Sequence, residues 1–264
     1  MAVNSEIEWT DATWNPVTGC TKISRGCDNC YAATFAERFR GVKGHPYEQG
    51  FDLKLWPGRL ALPLEWEEPR RIFVNSMSDL FHERVPDSYI LRVFDTMNRA
   101  PQHVFQILTK RAKRLMDIGP SLNWTPNIWQ GVSVETSDYL WRVSALRKVP
   151  AKVRFLSLEP LLGPLVGLDL ERIHWVIAGG ESGRGARPMN VAWAVAIRNQ
   201  CRKAGVPFFF KQYGTLQSNP DRRDPTAKEN GGATKGGRTL MGRVWHQFPT
   251  TTPPAPGRAF GKSA

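Results

Sequence analysis

Cysteine is scarce in this chain, four residues in 264, and three of them (Cys20, Cys27 and Cys30) fall within eleven positions while Cys201 stands alone. That placement excludes a disulfide framework, which would scatter an even set of thiols along a secreted chain. Long apolar runs are missing too, and none approaches the roughly 18 residues that a membrane-crossing helix needs. The opening stretch MAVNSEIEWTDATW is too acidic and too interrupted for a signal peptide. Neither export nor membrane insertion is expected, and a cytoplasmic location follows. Acidic residues are in deficit, 24 Asp+Glu against 36 Lys+Arg, a formal charge of +12. From Thr215 onward 8 basic residues face 3 acidic ones, which leaves 28 against 21 in the body, so the basicity is not confined to a tail. Such a surplus favours a polyanionic partner, most simply nucleic acid. With 41% hydrophobic residues, 10 Trp and 13 Phe, the chain has material for a packed core, and wholesale disorder is excluded.

From Arg71 to about Tyr213 a rhythm repeats: a short apolar run, a polar turn, then helical spacing. The runs are 72–75, 104–108, 128–134, 153–158, 175–178 and 206–210. They recur at the period of a βα unit rather than of a hairpin. Helix starts stand between them, at Pro86-Asp-Ser, at Thr136-Ser-Asp and at Asn190. A further strand is expected from 7–10 or 13–15, followed by a helix from Tyr31 to about Phe39. Alternating strand and helix predicts an α/β fold with a parallel sheet, a partial or complete (β/α) barrel, with a doubly wound open sheet as the alternative. Residues 1–214 read as the barrel domain, with an inserted loop at about 41–70 that is expected to fold over its top. Residues 215–249 read as a flexible loop and a closing segment, and 250–264 as a disordered tail, both basic and irregular.

In parallel α/β folds ligands bind at the C-terminal ends of the strands. The residues after each run are Ser76-Met-Ser-Asp79, Thr109-Lys-Arg111, Glu135-Thr136, Glu159-Pro160, Gly179-Gly-Glu-Ser-Gly183 and Lys211-Gln-Tyr213. Each is polar or charged directly after an apolar stretch, where a dry interior would not tolerate it unpaired. Singly, Asp79 or Ser182 is as well read as a helix cap; together the six describe a ligand mouth. Two glycines, Gly179 and Gly180, would let backbone N–H groups approach a ligand, although no dinucleotide or P-loop pattern is present.

The cysteine loop, Cys20-Thr-Lys-Ile-Ser-Arg-Gly-Cys27-Asp-Asn-Cys30, precedes a predicted helix. Thiolates are soft donors for zinc or iron–sulfur clusters. A structural zinc normally takes four protein ligands, and no fourth stands nearby. Three thiolates suit a 4Fe–4S cluster with one iron open to a small ligand.

Together with Trp9-Thr-Asp-Ala-Thr-Trp-Asn-Pro-Val-Thr-Gly-Cys20, Gly26-Cys-Asp-Asn-Cys-Tyr-Ala32, Ser76-Met-Ser-Asp-Leu-Phe81, Leu108-Thr-Lys-Arg111, Ser157-Leu-Glu-Pro-Leu161 and Gly179-Gly-Glu-Ser-Gly183, this loop resembles the phage-linked three-Cys-motif proteins. That family in turn is similar to radical S-adenosylmethionine (SAM) enzymes. The resemblance runs from about Ile7 to Pro249. It implies a radical-SAM-like barrel, a 4Fe–4S cluster on Cys20, Cys27 and Cys30, and SAM as cofactor. Six residues separate the first two cysteines, where radical SAM enzymes usually have three. The Gly-Gly-Glu motif also follows a later strand than usual. Two sets therefore compete for SAM: Ser76, Ser78 and Asp79 on one side, and Gly179, Gly180, Glu181 and Ser182 on the other, with Lys110, Glu135 and Glu159 beside them. Arg111, Arg184, Lys211, Gln212 and Tyr213 are expected to meet substrate, and analogy with photoproduct lyases implies DNA lesion repair or base modification.

Two other readings stay open. One is a zinc-stabilised nucleic-acid-binding protein; the other is a divalent-metal hydrolase or nuclease using Asp79, Glu135, Glu159 and Glu181. Aromatics beside cations, at Trp56–Arg59, Trp141–Arg142, Lys211–Tyr213 and Arg243–Trp245, are either stacking platforms for bases or core residues. Cys201 reads as core, and His82, His103 and His174 as structural residues or proton carriers.

Overall fold

The computed structural model describes residues 5–250 apart from 184, 222, 228, 231–232 and 235. The sheet has seven parallel strands: β1 (Ala12–Trp14), β2 (Arg71–Val74), β3 (Val104–Thr109), β4 (Ile128–Ser133), β5 (Val153–Leu158), β6 (Trp175–Gly179) and β7 (Phe208–Gln212). Each pairs with the next in chain order. All six neighbouring pairs are parallel. Strictly sequential order has no switch point, which rules out the doubly wound alternative. β1 and β7 remain the two ends of the sheet, so the architecture is a half barrel rather than a complete one. The helices are α1 (Tyr31–Glu37), α2 (Asp87–Asn98), α3 (Ala112–Ile118), α4 (Trp141–Arg147) and α5 (Val191–Ala204).

The alternation of side chains along each strand sorts the core into two layers. On the outer face Ile72, Val74, Ile107, Leu156 and Val176 pack against the helices, with Val93, Leu115, Leu146 and Cys201 facing them. On the concave face an aromatic cluster fills the lumen: Trp9, Phe73, Trp129, Phe155, Trp175 and Phe209. Each such ring contributes on the order of 1.5–3 kcal/mol by leaving water, and three of the ten tryptophans lie in this cluster. α5 starts on the Asn190 cap, whose side chain accepts from the Ala192 N–H, and ends on Gly205 in the left-handed conformation.

Of the segment expected over the top, the first part does meet the cysteine loop, the Phe51 carbonyl accepting from Cys20 N, and the rest runs elsewhere. That first part packs beside the end of α1. Lys54–Leu55 then pairs antiparallel with Val17–Thr18, and the chain runs along β1, where Trp14 Nε1 donates to the Arg59 carbonyl. It ends near the opposite pole of the sheet, where His103 meets the Pro63 carbonyl. The open edge of β7 is covered by 245–247, where Phe210 N donates to the Trp245 carbonyl and Gln247 N to that of Phe208. An antiparallel bridge joins Phe209 and His246 there. The described part of 219–237 is pinned rather than structureless: Asp224, buried, accepts from Asn219, Thr226 and Thr239. The tail expected at 250–264 lies outside the described residues beyond 250. Among the described residues no helix is long and apolar enough to cross a membrane.

Candidate functional site

The strand ends, the N-terminal segment and the cysteine loop enclose a cavity of about 210 Å³. Its floor is apolar, from Ile7, Trp9, Phe73 and Leu108 on the concave face. Its walls are polar, from Asn29, Lys110, Ser133, Ser157, Glu159, Glu181, Ser182, Lys211 and Gln212, with Gly180, Cys30 and Tyr31 at the rim. Eight sequence-predicted residues thus meet here: Cys30, Lys110, Glu159, Gly180, Glu181, Ser182, Lys211 and Gln212. Glu159 pairs with Lys211 at 3.1 Å and accepts from the Ser157 hydroxyl.

The other predicted residues stand elsewhere. Ser76 exchanges hydrogen bonds with Asn15, and Ser78 donates to the Val17 carbonyl. Asp79 accepts from Thr109, from the Lys110 N–H and from Arg111. These three fasten the turn after β2 and do not line the cavity. Tyr213 is buried in the outer core, its hydroxyl donating to the Thr239 carbonyl. Arg184 lies outside the described residues. Of the glycine pair, Gly180 has no free N–H for a ligand, because it donates to the Gln212 carbonyl. A Cβ at Gly180 would collide with the Tyr213 carbonyl, so glycine is required there by the close approach of β6 and β7. Beside it, Gly179 abuts Glu159 and Lys211.

The cysteine loop is tied to the sheet at three points. At the first, Arg111 donates to Cys20 Sγ (3.3 Å) and to the carbonyl and hydroxyl of Thr21 (both 3.0 Å). Asp79 and Glu83 hold the same guanidinium from behind. At the second, Ser24 donates to Glu135 Oε1 at 2.7 Å, and Gly26 lies so close to Glu135 that any Cβ there would strike the carboxylate. Glu135 is fully buried and receives Arg142 at 2.8 Å, with Lys110 3.6 Å away. At the third, Asn29 donates to Glu181 (2.9 Å) and Arg187 grips the same carboxylate while donating to the Arg25 carbonyl. Glu135, Glu181 and Arg111, expected to meet cofactor or substrate, thus spend their hydrogen-bonding capacity on the loop that carries the thiols. The four carboxylates weighed for a hydrolase, Asp79, Glu135, Glu159 and Glu181, each face a cationic partner.

Electrostatics follow from these contacts. Burial opposes ionisation of Glu181, yet the hydrogen bonds from Arg187 and Asn29 outweigh it and hold the carboxyl below the usual range. Burial, then Asp79, push the Cys20 thiol up to about 11, with Arg111 pulling the other way. All four cysteines are free thiols. Among the described residues no group of three or more His, Cys, Asp or Glu is gathered closely enough to hold a metal. The donor chemistry still fits a thiolate-ligated cluster: three partly exposed, unpaired thiols share one loop, and Cys30 opens onto the cavity. His103 and His174 accept backbone N–H groups through Nδ1, as does His82, whose Nε2 meets the Thr21 hydroxyl of the loop. All three act as structural residues.

Ser24, Asn29 and Arg187 were not singled out by the sequence, and Arg142 only as the cation beside Trp141. Arg142 and Arg187 follow Glu135 and Glu181 by seven and six residues, a local acid–base spacing that carries some signal. The Ser24–Glu135 and Asn29–Glu181 bonds span 111 and 152 residues and leave no local trace.

Residues 4–249 match the family model described as Protein of unknown function (DUF5131). No curated protein and no solved structure matches the chain.

Proposed function

Given that the chain belongs to the DUF5131 family, a kinship that carries no activity with it, we propose from its own residues that it is a radical-SAM-type iron–sulfur enzyme acting on nucleic acid. The observation that carries this reading is the seating of three unpaired thiols, by three separate anchors, at the C-terminal mouth of a parallel half barrel and beside a cavity. Cys20, Cys27 and Cys30 would hold a 4Fe–4S cluster, which when bound supplies the electron for reductive cleavage of SAM.

The chain's own residues do the rest. Arg111, Glu135 and Glu181 keep the loop in register with the strand ends, so that cluster and cavity share one wall. Of the two sets competing for SAM, that of Gly179, Gly180, Glu181 and Ser182 is favoured, because all of it but Gly179 lines the cavity, with Glu159 beside it, whereas Ser76, Ser78 and Asp79 do not. Glu159 and Lys211 form an ion pair at the wall that can part to receive an ammonium and a carboxylate. The floor of Trp9, Phe73 and Leu108 excludes water from a reactive species. Gln212 is left to meet the substrate, which the charge makes a nucleic acid and the resemblance makes one for DNA repair or base modification.

The test is anaerobic reconstitution with iron and sulfide, followed by dithionite and SAM. Methionine and 5′-deoxyadenosine are the expected products, and Glu159→Gln should raise the SAM concentration needed without lowering iron content. A chain that takes up its full iron complement yet leaves SAM intact would overturn the reading.

A further inference from the structure

The sequence left Trp56, Trp141, Tyr213 and Trp245 as either platforms for bases or core residues. Three of these are unsuited. Tyr213 and Trp245 are buried, and Trp56 lies under Arg59 and Lys54, at 3.8 and 4.0 Å from its ring. A different aromatic surface starts at the cavity. Tyr31, Phe35 and Phe39 follow one another at four-residue spacing along α1 and the turn after it, and so share one face. Tyr31 lines the cavity and is 57% exposed; Phe35 is 44% exposed. The row continues onto the following loop. Phe35 meets Phe39 at 5.2 Å and Tyr47 at 5.7 Å, and Phe39 stacks on His45 at 3.8 Å. Val42, 48% exposed, stands on the same loop.

Contiguous exposed aromatics on a soluble chain mark an interaction surface, and the neighbouring charges say of what kind. Arg40 is committed to Glu37 and Asp52. Arg38 and Lys43 are exposed and, among the described residues, enter no ion pair. Rings flanked by unspent cations, on a chain of charge +12, complement a strand that offers bases and phosphates together. At the cavity end the floor keeps a donor in reserve: Trp9, 2% exposed, lines the cavity, and its Nε1 has no hydrogen-bond partner.

We propose that the aromatic row of Tyr31, Phe35 and Tyr47, with Phe39 taken up by His45, is a stacking platform for single-stranded nucleic acid, leading one unpaired base toward the cavity. Successive bases stack on the exposed rings, Arg38 and Lys43 neutralise the phosphates between them, and the base at the Tyr31 end turns in over the Trp9 floor. This rests on the reading of the cavity as a site for nucleic acid, and it names the form, single-stranded or locally unpaired, that the surface accepts.

The test is fluorescence anisotropy of the metal-free chain with a labelled oligothymidine of about a dozen nucleotides. Phe35→Ala should weaken binding about tenfold, the loss expected for one stacked base, and Phe35→Trp should restore it. Exchanging both Arg38 and Lys43 for Glu should flatten the salt dependence; that exposed pair serves as the variant should Phe35→Ala fail to fold. Unchanged affinity in folded Phe35→Ala and in the charge-reversed pair overturns the proposal. A dimer that Phe35→Ala splits, with oligonucleotide binding unaltered, also overturns it, assigning the surface to a second copy of the chain. Iron content, measured separately, distinguishes this failure from that of the cluster reading: binding that depends on Phe35 in a chain that never takes up iron defeats the cluster reading alone.

Discussion

Glu135 shows how one residue joins core, loop and site. Fully buried, it pairs with Arg142 behind it and accepts from Ser24 in front. Glu135→Ala would leave the Arg142 guanidinium buried without its counter-charge, a loss on the order of 3–5 kcal/mol, to be read by denaturant unfolding. Glu135→Gln should cost less, because the amide oxygen can still accept from one partner. Gly26→Ala separates the loop from the core: the new Cβ meets the carboxylate head-on, so iron uptake should fall while the unfolding midpoint barely moves. Glu181 gives a pH signature. Its carboxyl titrates below the ordinary 4.5 in the folded chain, so the stability it contributes is present above that value and is lost as pH falls through the lower folded value. Glu181→Gln should therefore be less stable than the native chain at neutral pH. The two should converge in acid, and unfolding free energy measured against pH checks both limbs.

Among elements, legibility in sequence depended on which forces were local. The six strands from 72 onward stood out because each is an apolar run of the right length between turn residues, and the Asn190 cap marked the start of α5 where it lies. α3 carried no such mark: Arg111 sits at its cap position and its side chain is turned to the cysteine loop instead. A cavity does open at the strand ends, but the partition of their side chains did not show. Whether Glu135 faces a ligand or a serine far away in the chain is a matter of tertiary distance. The glycine pair misled for a related reason, since its small size is demanded by the neighbouring strand. Gly180→Ala should destabilise the chain by about 1–3 kcal/mol as β6 and β7 are forced apart, and under the proposed function SAM binding should weaken in parallel; calorimetry would show both.

At the scale of the molecule, a half barrel leaves its lumen open along one side, and this chain spends its aromatic residues filling that lumen below the cavity while covering the β7 edge with its own 245–247 segment. The apolar packing lies toward the floor, and the chemistry-bearing side chains are gathered at one rim under a loop held from three directions. Net positive charge then acts over the whole surface, and association with a polyanion should weaken steeply with salt. The central claim is that the anchored loop is a cluster-binding loop. Its most direct measurement is iron and sulfide content after anaerobic purification, for the native chain and for Cys27→Ala. The account predicts a brown protein with about four iron and four sulfide per chain and loss of both in the variant. A colourless chain carrying stoichiometric zinc, or iron that persists in Cys27→Ala, would contradict it.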